Sequence, residues 1–318
     1  MLSRVAEAIY WMNRSFERAE SVARFVDVNL HLALDLAEGG REQWAPIIAT
    51  TGDDALFAAR YGEATRANAL RFLTFDAGYA NSIVSCLRVA RESARSVREV
   101  ISSEMWEAVN RTYLAVAEAA RREDDVLAAP HDFYDHVKLA AQQFVGTAYV
   151  TMTHNEAWHF ARLGRLLERA DKTSRILDVK YFFLLPEVSD VGTAYDEVQW
   201  AALLKSASAF EMYRKRWGLI APARVVEFLA LDPKFPRSMR YCVTKAERSL
   251  HAITGNALST ATNSAERALG RLRAELEFSD AEELLATGLH ERIDGFQTRL
   301  NGVGDAVWET FFAMRPVR

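Results

Sequence analysis

Apolar residues recur at three- and four-residue spacings along most of this chain, the mark of helices with one buried face. Alternating or β-branched runs are almost missing; Ile47-Ile48 and Tyr149-Val150-Thr151 are too short to build a sheet. Proline stands only at Pro46, Pro130, Pro186, Pro222, Pro233, Pro236 and Pro316, so long stretches run without a helix breaker. The pattern predicts an all-α fold, a helical bundle. Its first helix spans residues 3 to 37 and stops at Gly39-Gly40, where a left-handed residue can end it. Thr51-Gly52-Asp53-Asp54 reads as a turn followed by a helix start. Further helices are expected from about Asn81 to Ile101, from a Ser103 cap to about Ala128 before Pro130, and from His131 to Leu185 with a break near Gly146 or Thr153. Ser259 to Phe278 and Leu289 to Ala313 supply the last amphipathic helices.

On a wheel of about 100° per residue, Phe16, Ala19, Val22, Ala23, Val26 and Leu30 share one side of the first helix. Arg14, Glu17, Glu20, Arg24 and Asp27 fill the opposite arc, and Arg18 lies off it. This charged stripe is written twice. Arg14, Glu17, Arg18, Glu20, Arg24 and Asp27 return as Arg165, Glu168, Arg169, Asp171, Arg175 and Asp178, each 151 positions later. Six of the fourteen aligned positions from Arg14 to Asp27 are identical, against about one for chance pairing of ordinary compositions.

A second block repeats at a spacing of 156. Trp44, Phe72-Leu73, Asp76, Ser82, Cys86, Ala90 and Ser93 match Trp200, Phe228-Leu229, Asp232, Ser238, Cys242, Ala246 and Ser249. The shift from 151 to 156 needs only a five-residue insertion, which the sequence places between Pro186 and Ala194. Residues 1–150 and 151–318 are therefore expected to be diverged tandem copies of one helical unit. Packed as one globular body about a pseudo-twofold axis, they would hold the two stripes in equivalent environments.

Opposite charges at Arg14/Glu17, Glu20/Arg24 and Arg24/Asp27 stand three or four residues apart. On a solvated face such pairs contribute only a few tenths of a kcal/mol each. The sharper reading is a buried or cleft-lining network, because every charged position persists between the copies while Ser15, Phe16, Ser21, Val22, Ala23, Phe25 and Val26 all change. An arginine with spare donors in such a network could hold a phosphate or a carboxylate.

Composition narrows the classes. Half of the 318 residues are hydrophobic and 26% are charged, as in ordinary globular chains with ample length for a core. A formal charge of -4 gives no basis for a non-specific hold on nucleic acid or anionic lipid. No apolar run approaches the roughly 18 residues of a membrane span, and Arg4 and Glu7 do not resemble a secretory leader. Cys86 and Cys242 make neither a disulfide framework nor a metal site and read as small buried thiols. A cytoplasmic setting follows from these features.

Helical di-metal sites use Glu-x-x-His, which does not occur here, and the five-residue gap between His154 and His159 keeps them off one helical face. The expectation is no metal and no cofactor. Phosphate loops, dinucleotide fingerprints and nucleophile elbows do not occur either.

Glu17-Arg18-Ala19-Glu20 and Glu168-Arg169-Ala170-Asp171 resemble the Glu-Arg motif of the bacterial alpha-E family. Supporting stretches are Tyr10-Trp11-Met12-Asn13-Arg14, Leu163-Gly164-Arg165, Ala90-Arg91-Glu92-Ser93-Ala94-Arg95 and Ala265-Glu266-Arg267-Ala268-Leu269-Gly270-Arg271-Leu272. The likeness covers nearly the whole chain. It departs at Asn13, where the second half carries Gly164. The resemblance implies a companion of a circularly permuted ATP-grasp peptide-ligase-like enzyme and of a transglutaminase-like protease. It carries over no catalytic residue, only Glu17, Arg18, Glu168 and Arg169 as the motif itself.

The reading favoured from sequence is a non-catalytic accessory of such an amidoligase system, acting in the synthesis or modification of a peptide-like compound. The alternative is an enzyme or receptor whose paired Arg/Glu helices enclose an anionic small molecule or peptide. A third reading is a self-associating bundle without a ligand, a homo-oligomer.

Overall fold

The computed structural model describes residues 1–35, 44–183 and 193–313. Every regular element among them is helical. Eight helices carry the architecture: α1 (Ser3–Asp35), α2 (Ile83–Ser96), α3 (Ser103–Arg121), α4 (His131–Thr151), α5 (Glu156–Phe183), α6 (Met239–Thr254), α7 (Ser264–Phe278) and α8 (Leu289–Val307). Short helical segments fill the connections, among them Ala45–Ala49, Asp54–Tyr61 and Arg66–Thr74 before α2, and Ala194–Ser206 and Phe210–Trp217 before α6.

The first motif copy lies on α1 and the second on α5, and these two helices pack directly against each other. Their contacts step in the same sense: the amino group of Met1 meets Glu156 at 2.9 Å, the Tyr10 carbonyl approaches Gly164, and Arg18 reaches Glu168. The helices therefore run side by side in one direction. Around α1 stand α2 and α4, with α3 against both; around α5 stand α6 and α8, with α7 against both.

Local chemistry at matching positions does matching work. Ser82 caps α2 by accepting from the Ser85 amide at 3.2 Å, and Ser238 caps α6 by accepting from the Tyr241 amide at 3.0 Å. Such caps satisfy amides that have no partner inside the helix. Phe72 stacks on Tyr79 with ring centroids 3.9 Å apart, and Phe228 stacks on Phe235 at 4.5 Å. Phe16 and Phe144 stack at 4.3 Å where α1 meets α4. Burying rings of this size stabilises by about 1.5–3 kcal/mol each.

Several boundaries differ from the expectation. α2 ends at Ser96 in a turn, short of Ile101. The cap of α3 is Ser102, not Ser103, and its hydroxyl accepts from the Met105 amide at 3.2 Å. The helix expected to reach Ala128 breaks at Arg122, whose φ and ψ of -121° and 42° are not helical. Of the two breaks expected, the one near Thr153 is found at Met152–Asn155, and Gly146 sits within α4. The stop at Gly39-Gly40, the end at Pro186 and the inferred insertion all fall outside the described residues.

On α1 burial extends beyond the apolar stripe. Opposite its apolar stripe, Glu17, Glu20, Arg24 and Asp27 are buried as well. A helix at the centre of a bundle meets neighbours on every side, so its polar arc faces protein instead of water.

Candidate polar centre between the motif helices

The Glu-Arg pairs cross between the helices. Arg18 donates through Nε to Oε1 of Glu168 at 2.6 Å and through Nη2 to Oε2 at 2.9 Å. Arg169 returns the same fork to Glu17, Nε to Oε1 at 2.6 Å and Nη2 to Oε2 at 2.8 Å. Planar guanidinium forks match carboxylates in two-point contact, which fixes orientation as well as energy. Arg14 adds a 2.9 Å bond from Nε to Oε2 of Glu168, which is completely buried.

Of the pairs expected within the first helix, Glu20 with Arg24 forms, and on α5 Asp171 pairs with Arg175 at 3.0 Å. Arg14 with Glu17 and Arg24 with Asp27 do not. Arg14 is drawn to Glu168 across the interface, and Asp27 turns to α4, where Lys138 donates to Oδ2 at 2.6 Å and His131 Nδ1 lies 3.0 Å from Oδ1. On the other side Asp178 meets His290 at 2.6 Å, and the bond pushes the His290 imidazole upward.

Arg18 and Arg169, off the charged arc on the wheel, thus hold the centre together. Arg237, missed in the sequence, donates to Glu20 at 2.8 Å. Its counterpart at the 156 spacing is Asn81, which accepts from Arg18 at 2.5 Å. Aligning the second block would have pointed to both. Lys172 lies 3.1 Å from Asp171 and 3.6 Å from Glu168.

Two carboxylates, Glu17 and Glu20, sit among four guanidiniums: Arg24, Arg165, Arg169 and Arg237. Glu168 and Asp171 likewise sit among Arg14, Arg18, Lys172 and Arg175. Each side carries a surplus of positive charge. Burial, reinforced by the Arg169 charge, pulls the Arg165 guanidinium down to about 10. Its buried Nε has no hydrogen-bond partner, and it forms no ion pair among the described residues.

Burial alone would raise the Glu20 carboxyl, but Arg237 and Arg24 outweigh it and hold it at about 2. Glu168 lies well below its ordinary value for the same reason, with Arg18 and Arg14 overriding burial. Asp171 is lowered despite burial by Lys172 and Arg175. Carboxyls depressed in the folded state add stability above their unfolded values of about 4 and lose it as pH falls through the folded values. Urea midpoints are therefore expected to hold above about pH 5 and drop steeply between about pH 4 and 2. A midpoint unchanged from about pH 5 to 3 would contradict the ion-paired centre.

Two clefts open beside it. One of about 300 Å³ is lined by Tyr10, Trp11, Arg14, Asp171, Asp305 and Trp308, among others. Arg14 lies over the Tyr10 and Trp11 rings, and half-exposed Trp308 begins a π-helical turn running to Phe312. Such turns are frequent at functional sites. The second, of about 190 Å³, is lined by Glu17, Glu20, Gln142, Arg169 and Arg237.

Burial pushes the Cys86 thiol up to about 11 and the Cys242 thiol up to about 12, which fits apolar packing. His154 is exposed and stacks on Trp158 at 4.1 Å, whereas His159 is half-buried.

The chain belongs to the Alpha-E family, described as a predicted alpha-helical domain with a conserved ER motif, whose model matches residues 1–312. Glu17-Arg18 and Glu168-Arg169 are Glu-Arg pairs, and they cross between α1 and α5. Similar curated proteins are an uncharacterized protein of Mycobacterium bovis and two of Mycobacterium tuberculosis, each 24% identical over 98% of this chain. The match spans 37% of the length of each of these relatives. No solved structure matches.

Proposed function

We propose that this member of the Alpha-E family is a helical accessory of an ATP-grasp peptide-ligase-like enzyme, acting in the synthesis or modification of a peptide-like compound. The observation that carries the reading is the reciprocal fork between Glu17 and Arg169 and between Arg18 and Glu168. Carboxylates clamped this way fix the geometry of a scaffold, and desolvated ion pairs are better suited to that than to adding stability. The relatives, in which a similar segment is one part of a longer chain, support a domain that works beside another. The two helical groups are, on this reading, diverged copies related by a pseudo-twofold axis. The matching caps, the matching ring stacks and the reciprocal forks support that symmetry.

Co-expressed with its ATP-grasp partner, the chain is expected to co-purify with it or to raise its turnover. No complex together with no change in turnover would remove the proposal.

A second reading, an anion receptor at the paired helices, is favoured by the surplus of positive charge and by Arg165. Leaving the buried Nε of a half-buried arginine without a partner is costly. Replacing it should therefore relieve the fold unless an anion repays that strain. Arg165→Met is expected to leave the thermal midpoint level or raise it, while binding of inorganic phosphate or a short acidic peptide falls at least about tenfold, the loss of one charge-assisted contact. Unchanged anion binding in that variant rejects the receptor.

A further inference from the structure

We propose that Asp27, His31 and His131 form a binding site for a divalent transition-metal ion of the zinc type, at the end of α1 where it meets the start of α4. One ligand atom from each residue lies within 4.8 Å of the other two. His131 Nδ1 stands 3.0 Å and His31 Nδ1 3.6 Å from Oδ1 of Asp27. Tetrahedral bonds of about 2.0–2.1 Å place ligand atoms roughly 3.3 Å apart, so both spacings need to change by only a few tenths of an ångström. The two imidazole rings lie edge to face with centroids 4.4 Å apart, close enough for both to offer a nitrogen to one small region.

The donor set selects the ion. Two imidazoles and one carboxylate suit zinc and its neighbours, whereas magnesium and calcium prefer oxygen ligands. Three protein ligands leave a fourth position for water or another group, as in catalytic zinc sites.

Charged groups around the site are compatible with this. Lys138 donates to the other oxygen of Asp27, Oδ2, at 2.6 Å, and Asp135 holds the same ammonium at 2.6 Å. Lys138 thereby orients the carboxylate from behind and leaves Oδ1 toward the imidazoles, the arrangement of a ligand fixed by an outer partner. Asp27, Asp135 and Lys138 together leave one net negative charge to attract the ion. The His31 and His131 side chains are both partly open to solvent, which gives a path of entry. On binding, the ion replaces the proton that His131 Nδ1 shares with Asp27 Oδ1 and the one that His31 Nδ1 shares at 2.9 Å with the Asp27 backbone carbonyl, and in each neutral ring that proton moves to Nε2.

The second half supplies an internal control. Asp178 and His290 form the same kind of pair at 2.6 Å, but position 182, which corresponds to His31 at the 151 spacing, is Phe182. With one histidine fewer, the second pair is not expected to hold a metal.

The full chain, stripped with a chelator, is titrated with Zn²⁺ by calorimetry and with Co²⁺ by visible absorption. One ion per chain is expected, with the d–d bands of four-coordinate cobalt. His31→Ala is expected to weaken binding by at least about 100-fold, because a direct ligand matters no less than the outer groups that orient it. Its exposed position keeps the fold intact, so this variant decides even where His131→Ala does not fold. His290→Ala should leave the stoichiometry and affinity unchanged. No saturable binding, binding that survives His31→Ala, or loss on His290→Ala would each overturn the site.

Discussion

Glu168→Ala is expected to cost about 3–5 kcal/mol, enough to unfold much of the protein at ordinary temperature. The Glu168 carboxylate is wholly buried and holds Arg18 through two bonds and Arg14 through a third, with Lys172 at 3.6 Å. Removing it strands Arg14 and Arg18, which are mostly buried, while Lys172 keeps Asp171 at 3.1 Å. The loss therefore measures stranded charge more than the value of the pair, since a desolvated ion pair itself roughly breaks even. Three further variants separate these effects. A double-mutant cycle on Arg18→Met and Glu168→Gln should show a coupling of about 1–3 kcal/mol, the range for residues in one ion-pair network. Chemical denaturation of the four proteins reads both quantities. A Glu168→Ala variant within about 1 kcal/mol of the parent would mean that the carboxylate is not held between these helices.

Gly164→Ala is the second large effect, and here two principles disagree in sign. Alanine within a helix is favoured over glycine by about 0.5–1 kcal/mol, so propensity predicts a more stable protein. Packing predicts the reverse. A methyl group at Gly164 would stand 2.5 Å from the Tyr10 carbonyl oxygen, 3.1 Å from its ring and 3.2 Å from Cγ of Arg14. The first contact is with backbone, which cannot rotate away, so α1 and α5 must separate. Overpacking of this kind typically costs about 1–3 kcal/mol and occasionally more, which outweighs the propensity gain. The separation also acts on Arg14 and Arg18, whose reach to Glu168 depends on that spacing. A thermal midpoint several degrees below the parent is expected, with acid sensitivity shifted in the same direction. A rise in the midpoint would show that the helices are not in close contact at this point.

Gly164 also shows how much of the centre could be read from the chain. Its pairing with Asn13 at the 151 spacing marked a position where the halves differ, and close packing was the natural expectation for the glycine. The structure places that approach against Tyr10. Asn13 is buried too, and its Nδ2 donates to the Ile9 carbonyl at 3.0 Å. Only one of the two positions needs a residue without a side chain.

The charged stripe was legible as a set and illegible as a network. Spacing correctly paired Glu20 with Arg24, because i,i+4 neighbours meet wherever the helix lies. It failed for Arg14 and Asp27, whose partners stand on α5 and α4. It also left Arg18 and Arg169 without assignment, since a wheel ranks positions around one axis and says nothing of the neighbour beyond it. In the folded chain Glu17 and Glu168 are each locked to the other helix's arginine. Asp27 gained His131 from more than one hundred positions away, a distance no spacing rule covers.

By itself the sequence determined that this protein is helical and where most helices run. It also determined that one acid- and base-rich stretch occurs twice, because periodicity, caps and repeated spacing are properties of neighbouring residues. The tertiary structure decided that the two stretches face each other in the same direction, that their charges cross, and that the polar arc of the central helix is buried. Those outcomes depend on how close two helices can approach, which a glycine, a backbone carbonyl and the shapes of several distant side chains settle together.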